Sequence, residues 1–172
     1  MAMTNRTSLL LRLLDLATWP ATAPWEGGVV GRVELVRELA AGTGSGQADA
    51  VGFWSGTIAL GATQSIDLSG GSQVQEADGS SPVFVKIKGL ALQKLAGSGT
   101  VALARPAANG TPIFAADSDE LAPLAAVGDT VFLWYGDTGI TVTAATGDLL
   151  SLIEKGGAAS VSCVLLVIGT TA

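Results

Sequence analysis

Hydrophobic residues near the start of the chain recur at helical spacing. In residues 7–17 (T-S-L-L-L-R-L-L-D-L-A), Leu9, Leu10, Leu13 and Leu16 share one broad face with Ala17, and Arg12 and Asp15 are displaced from it. Ser8 suits an N-cap and Pro20 a stop, so the pattern predicts a short amphipathic helix. Two packings are open to it, on its own domain or as an arm against a neighbouring subunit. Trp19 and Trp25 bracket the segment W-P-A-T-A-P-W, whose prolines predict an extended, stiff connector. A tryptophan pair in such a place either folds back over a core edge or anchors a partner.

After Gly27-Gly28 the spacing changes to alternation. Val29, Val33 and Leu35 share one parity against Arg32, Glu34 and Glu38. In 51–60, Val51 and Phe53 lie on one face and Trp54, Ile58 and Leu60 on the other. Ile66 and Leu68 form a short run, and residues 69–82 read as a polar loop. In 83–95, Val83, Val85 and Ile87 face one way and Lys86 and Lys88 the other, until Gly89 breaks the phase. Leu90 and Leu92 then take over the buried parity, as across a bulge. Further runs at 100–104, 113–114, 130–135, 140–143, 149–153 and 160–168 complete about ten short strands separated by turn residues. No βαβ alternation is present, so the chain is expected to be all-β: an antiparallel, jelly-roll-like β-sandwich over 29–172 behind an arm and connector over 1–28.

Composition narrows the chemistry. Among 172 residues there are no histidines, one cysteine and 23 glycines, and charged residues make up 14%. Without histidine there is no Ser-His-Asp or Cys-His catalysis and no His-ligated metal or haem. A single thiol forms no internal disulfide and no zinc ribbon. The net charge of −6 carries no basic patch beyond Lys86 and Lys88, which argues against nucleic acid as a partner. The longest apolar run, 161–168, is far short of the roughly 20 residues a helical membrane span requires. An apolar, charge-poor chain is expected to bury part of its surface against copies of itself or another protein. The residues expected at such an interface are Leu9, Leu10, Leu13, Leu16, Trp19 and Trp25.

Other candidate groups read as structural. Asp117, Asp119 and Glu120 alternate as calcium ligands can, without an EF-hand pattern. Asp67, Glu76 and Asp78 offer glycosidase-like acid pairs no more distinctive than any others. The G-T-G-S-G of residues 42–46 lacks the Lys-Ser/Thr of a phosphate loop. Cys163 falls in an apolar run and reads as a core thiol. Trp54, Trp134 and Tyr135 have the aromatic faces of a sugar-binding groove, or equally of a core. No cofactor, metal or catalytic residue is assigned, and a non-enzymatic role is expected.

From residue 42 onward the chain resembles a family of small virion proteins of tailed phages and prophages. The resemblance rests on G-T-G-S-G-Q-A-D (42–49), S-I-D-L-S-G (65–70), F-V-K-I-K-G-L (84–90), T-V-T-A-A-T-G-D-L-L (141–150) and the terminal V-I-G (167–169). It implies a jelly-roll sandwich that decorates or cements an icosahedral head by binding across major capsid protein joints, or that bases a head fibre. The implied oligomer is a homotrimer, with a dimer as the alternative, on the outer surface of a virion capsid after synthesis in the host cytoplasm. A carbohydrate-binding module on the virion surface is the competing expectation. The Leu-rich arm and the Trp-Pro connector lie outside the family pattern.

Overall fold

A computed structural model describes residues 7–13, 33–156 and 159–172, and within them the chain is all-β. Strand β1 is Thr7–Leu13, β2 Val33–Ala41, β3 Gln47–Ala48, β4 Ala50–Ile58, β5 Thr63–Asp67 and β6 Lys86–Ala96. Strand β7 is Thr100–Ala104, β8 Thr130–Trp134, β9 Ile140–Thr141, β10 Leu149–Lys155 and β11 Val161–Thr170. The larger sheet runs β4-β11-β6-β8, with β9 also paired to β6; the smaller runs β5-β10-β7. Every pairing in these two sheets is antiparallel.

One core lies between the two sheets. Leu90, Leu92, Leu165 and Val167 from the larger sheet cluster with Ile66, Val101, Leu103, Leu150 and Leu152 from the smaller. Burial alternates along β11 from Val161 to Leu166, as a strand with one core-facing side requires. Residues 120–124 extend the smaller sheet irregularly beyond β7, through bridges Ala104↔Glu120 and Val101↔Leu124.

The phase break in β6 is a pair of irregularities in its register with β11. One falls between Ile168 and Gly169, opposite Gly89 and Ile87, and the other between Ser162 and Cys163. The first lets Ile87, Leu90 and Leu92 all reach the core despite their mixed parity. Before β6 the alternation expectation fails. Phe84 is buried in the core while Val83 and Val85 are exposed, and the Phe84 N–H donates to Leu68 O (2.8 Å).

Two lysines on β6 are nearly inaccessible, Lys88 at 1% and Lys94 at 2% exposure. The Lys94 ammonium donates to Ala125 O at 2.5 Å, and that of Lys88 to Asp137 O. Asp137 O also accepts from Gly46 N (3.1 Å), so Lys88 helps tie the β8–β9 turn to the 42–47 turn. Burial holds the Lys88 ammonium below its ordinary range.

The expected helix at residues 7–17 is corrected over Thr7–Leu13. That segment is a strand, paired along its whole length with β2 from Thr7↔Leu39 to Leu13↔Val33. A short leucine run satisfies helical and strand patterns equally, and seven consecutive backbone pairings decide for the strand. Residues 14–17 of the expected helix and the connector at 18–32 lie outside the described residues.

Candidate functional site: the outer face of the larger sheet

The larger sheet turns one parity to the core and the other outward. Trp54, Leu165, Leu92 and Val131 align in register on the core side. On the outer side the register aligns Val51, Ile168, Gly89 and Trp134, then Phe53, Leu166, Ala91 and Phe132. A third row is Ser55, Val164, Gln93 and Thr130. None of these twelve positions carries a charge. A solvated sheet face ordinarily shows polar and charged residues, whereas eight strand positions here are apolar, most of them half-buried.

The strands supply that face because their sequences are apolar on both parities. V-F-L-W in β8 and V-L-L-V-I in β11 leave no side for water. Phe132 and Trp134 stack with ring centroids 6.4 Å apart and planes 24° apart. They do so above Gly89, where an added Cβ would lie 3.3 Å from the Trp134 ring and 3.5 Å from Phe132. Phe53 is 41% exposed at the other side of the sheet. Toward the far end the face becomes polar, with Thr57 and Ser162 hydroxyls 2.7 Å apart and Gln93 Nε2 donating to Thr130 Oγ1 at 3.1 Å.

One edge of the apolar tract is already covered from within the chain. Leu39 and Ala48 are buried with Ile168, and Val51, Trp134 and Leu166 pack on that cluster. Leu39 is the end of the β1–β2 ribbon, so the ribbon springs from this face. Leu9, Leu10 and Leu13 lie in β1; Leu16, Trp19 and Trp25 lie outside the described residues. Leu13 opposes Val33 at the end of the β1–β2 pairing.

The other candidate residues do not converge. Trp54 faces the core, its indole lying over Gly56, whereas Trp134 faces outward and Tyr135 packs back against the core. The three aromatics therefore form no common groove. Asp117 pairs with Arg105 (2.7 Å), Glu120 with Lys155 (2.9 Å), and Asp119 accepts from Ala116 N (2.9 Å), so the acidic loop spends its carboxylates separately. Asp67 accepts from Ser69 N (2.8 Å), while Glu76 and Asp78 share the Ser80 hydroxyl. The Ser80 bonds hold Asp78 below the usual carboxylate range. Among the described residues no three Cys, Asp or Glu side chains gather as a metal site, and no helix is long and apolar enough to cross a membrane. Cys163 is wholly buried, and burial pushes its thiol up to about 11.

Phe53, which shares a strand face with Val51 in the sequence pattern, and Ala91, Phe132 and Leu166 are absent from the expected interface residues. For Phe132 and Leu166 a signal is present in the sequence, as apolar residues on both parities of β8 and β11. No protein-family model matches the chain, and no curated protein matches it.

Proposed function

We propose that the chain is a structural, non-enzymatic virion protein that decorates or cements a tailed-phage head, sitting on the outer capsid surface across joints between major capsid subunits. The observation that carries the reading is the uncharged outer sheet face with a ribbon arm rooted in it. A cement needs a stiff body, an apolar contact surface and a projecting element, and it gains strength from many copies on a lattice.

Strand connectivity supports a jelly-roll body. Taking β4, β5, β6, β7, residues 120–124, β8, β10 and β11 as eight successive strands, the first, eighth, third and sixth share the larger sheet. The second, seventh, fourth and fifth share the smaller. A double Greek key jelly roll has the same interleaving, which supports that reading. The motif resemblance from residue 42 onward points the same way. We take the assembly as a homotrimer, made in the host cytoplasm.

The test is co-sedimentation of the purified protein with expanded heads that lack a decoration protein. Saturable binding at a fixed number of copies per head is expected. Absence of binding to such heads from any candidate host phage, at micromolar concentration, overturns the proposal.

A further inference from the structure

We infer that Lys88 and Lys94 fix the register of β8 against β6, and so set where Phe132 and Trp134 stand on the outer sheet face. The inference rests on the proposed reading only for the use made of that face. Strand β8 pairs with Gly89–Gln93 of β6, and the two lysines stand immediately before and after that stretch. Each ammonium reaches a turn that flanks β8. That of Lys94 donates to Ala125 O (2.5 Å), before the strand, and that of Lys88 to Asp137 O, after it. Strand β8, at the edge of the sheet, is therefore held at both ends by side chains of its neighbour β6.

The sequence of β8 does little to specify its own register. Register ordinarily follows from the contrast between a buried and a solvated parity, and T-V-F-L-W is apolar on both parities after Thr130. Chain connectivity permits a slip as well. Gly89 pairs with Trp134 but Ile87 with Ile140, so two residues of β6 span six of the opposing chain. The surplus is the turn at 135–139, which can feed residues into a shifted β8, and Lys88 grips that turn at Asp137 O. The room at Gly89 for the Trp134 ring and the bond from Gln93 to Thr130 also favour the observed alignment. The lysines add a stricter condition. A slip of one residue moves a carbonyl by about 3.4 Å, more than a hydrogen bond tolerates, so both ammoniums lose their acceptors together. Stability does not explain the two charges, since methionine fills a similar volume without the cost of enclosing an ammonium. A buried polar group whose acceptor is in reach in one alignment only selects that alignment. In it, Val131 and Leu133 pack on the core while Phe132 stacks on Trp134 outside.

Disulfide trapping on the full chain tests this. Gln93 faces Thr130 in the observed register, and a two-residue slip brings Phe132 opposite Gln93 instead. The pair Gln93→Cys/Thr130→Cys therefore traps the observed register and Gln93→Cys/Phe132→Cys the slipped one, with the buried Cys163 left in place. With both lysines present, the first pair is expected to close and the second to stay open. In a Lys88→Met/Lys94→Met background the yield of the second pair is expected to rise about tenfold, as loss of two charge-assisted bonds demands. The urea midpoint is expected to move little, which separates a register role from a contribution to core stability. An unchanged yield of the slipped pair overturns the inference. So does failure of the Lys88→Met and Lys94→Met single variants to fold, because the lysines would then serve stability. Head binding is the second readout. The double methionine variant is expected to bind heads about tenfold more weakly, and the closed Gln93→Cys/Thr130→Cys disulfide in that background to restore binding. Undiminished binding by a slipped protein also overturns the inference. Wild-type protein that binds no heads while the trapping result holds removes the decoration reading alone. Head binding by wild type with an unchanged trapping result removes the register role alone.

Discussion

Phe132 stacks on Trp134 along the outer side of β8, and the space for that pair is made by a missing side chain on the neighbouring strand, at Gly89. A sheet position without a side chain ordinarily weakens a strand. Here it leaves room for two aromatic rings that a Cβ would meet at 3.3 and 3.5 Å.

Gly89→Val is therefore expected to lift the Trp134 ring and lower stability by about 1–3 kcal/mol, the usual cost of overpacking. Urea unfolding followed by tryptophan emission measures both effects. A variant with unchanged midpoint and unchanged emission shows that the rings do not lean on this position.

Lys88 separates packing from charge. Its stem fills core space while its ammonium holds Asp137 O, which keeps a second donor in Gly46 N. Lys88→Met retains the volume, removes the cost of a buried charge and leaves that carbonyl bonded, so a change within about 1 kcal/mol is expected. Lys88→Ala leaves a cavity and should cost about 2–4 kcal/mol. Equal losses in the two variants would show that the ammonium, not the stem, matters.

The buried thiol of Cys163 sets a pH dependence at the alkaline end. Its ordinary value is 9.0 and the folded value is about 11, so between the two the unfolded chain has lost a proton that the native chain keeps. Native protein binds more protons there, and this contribution to stability is present below 9 and falls as pH rises through about 11. The loss approaches 2–3 kcal/mol, at about 1.36 kcal/mol per unit. Subtracting the unfolding curve of Cys163→Ala from that of wild type isolates it. A difference that stays flat from pH 8 to 11 contradicts the assignment.

Tyr135 carries a buried hydroxyl without a hydrogen-bond partner among the described residues, and burial raises its phenol above the ordinary range. Removing an unpaired buried hydroxyl costs little, so Tyr135→Phe should be neutral or stabilise by up to about 1 kcal/mol. Thermal unfolding decides. A clear loss of stability would reveal a partner for the hydroxyl.

Much of the β architecture was legible in the sequence because short-range physics writes it. The run at 100–104 coincides with β7, and those at 130–135, 149–153 and 160–168 differ from β8, β10 and β11 by a few terminal residues. Alternation and turn residues fix such strands locally. The break at Gly89 also marked a true register change, since parity must switch wherever an extra residue enters one strand. The burial and high thiol value of Cys163 followed from its apolar surroundings in the same way.

Tertiary pairing decided the rest. Residues 7–13 spell a helix by spacing, but β2 offers an antiparallel partner at every position, and such a partner is invisible to a local pattern. Trp54 and Trp134 look alike in sequence, yet strand order sends one to the core and the other outward. The candidate site is of the same kind. Phe53, Leu166, Ala91 and Phe132 come from four strands separated by long stretches of chain, and only the order β4-β11-β6-β8 sets them in one row. The sequence by itself determined that the strands exist and that the chain lacks histidine-based chemistry. The uncharged face, and the ribbon rooted beside it, arise from long-range registers that side-chain periodicity does not encode.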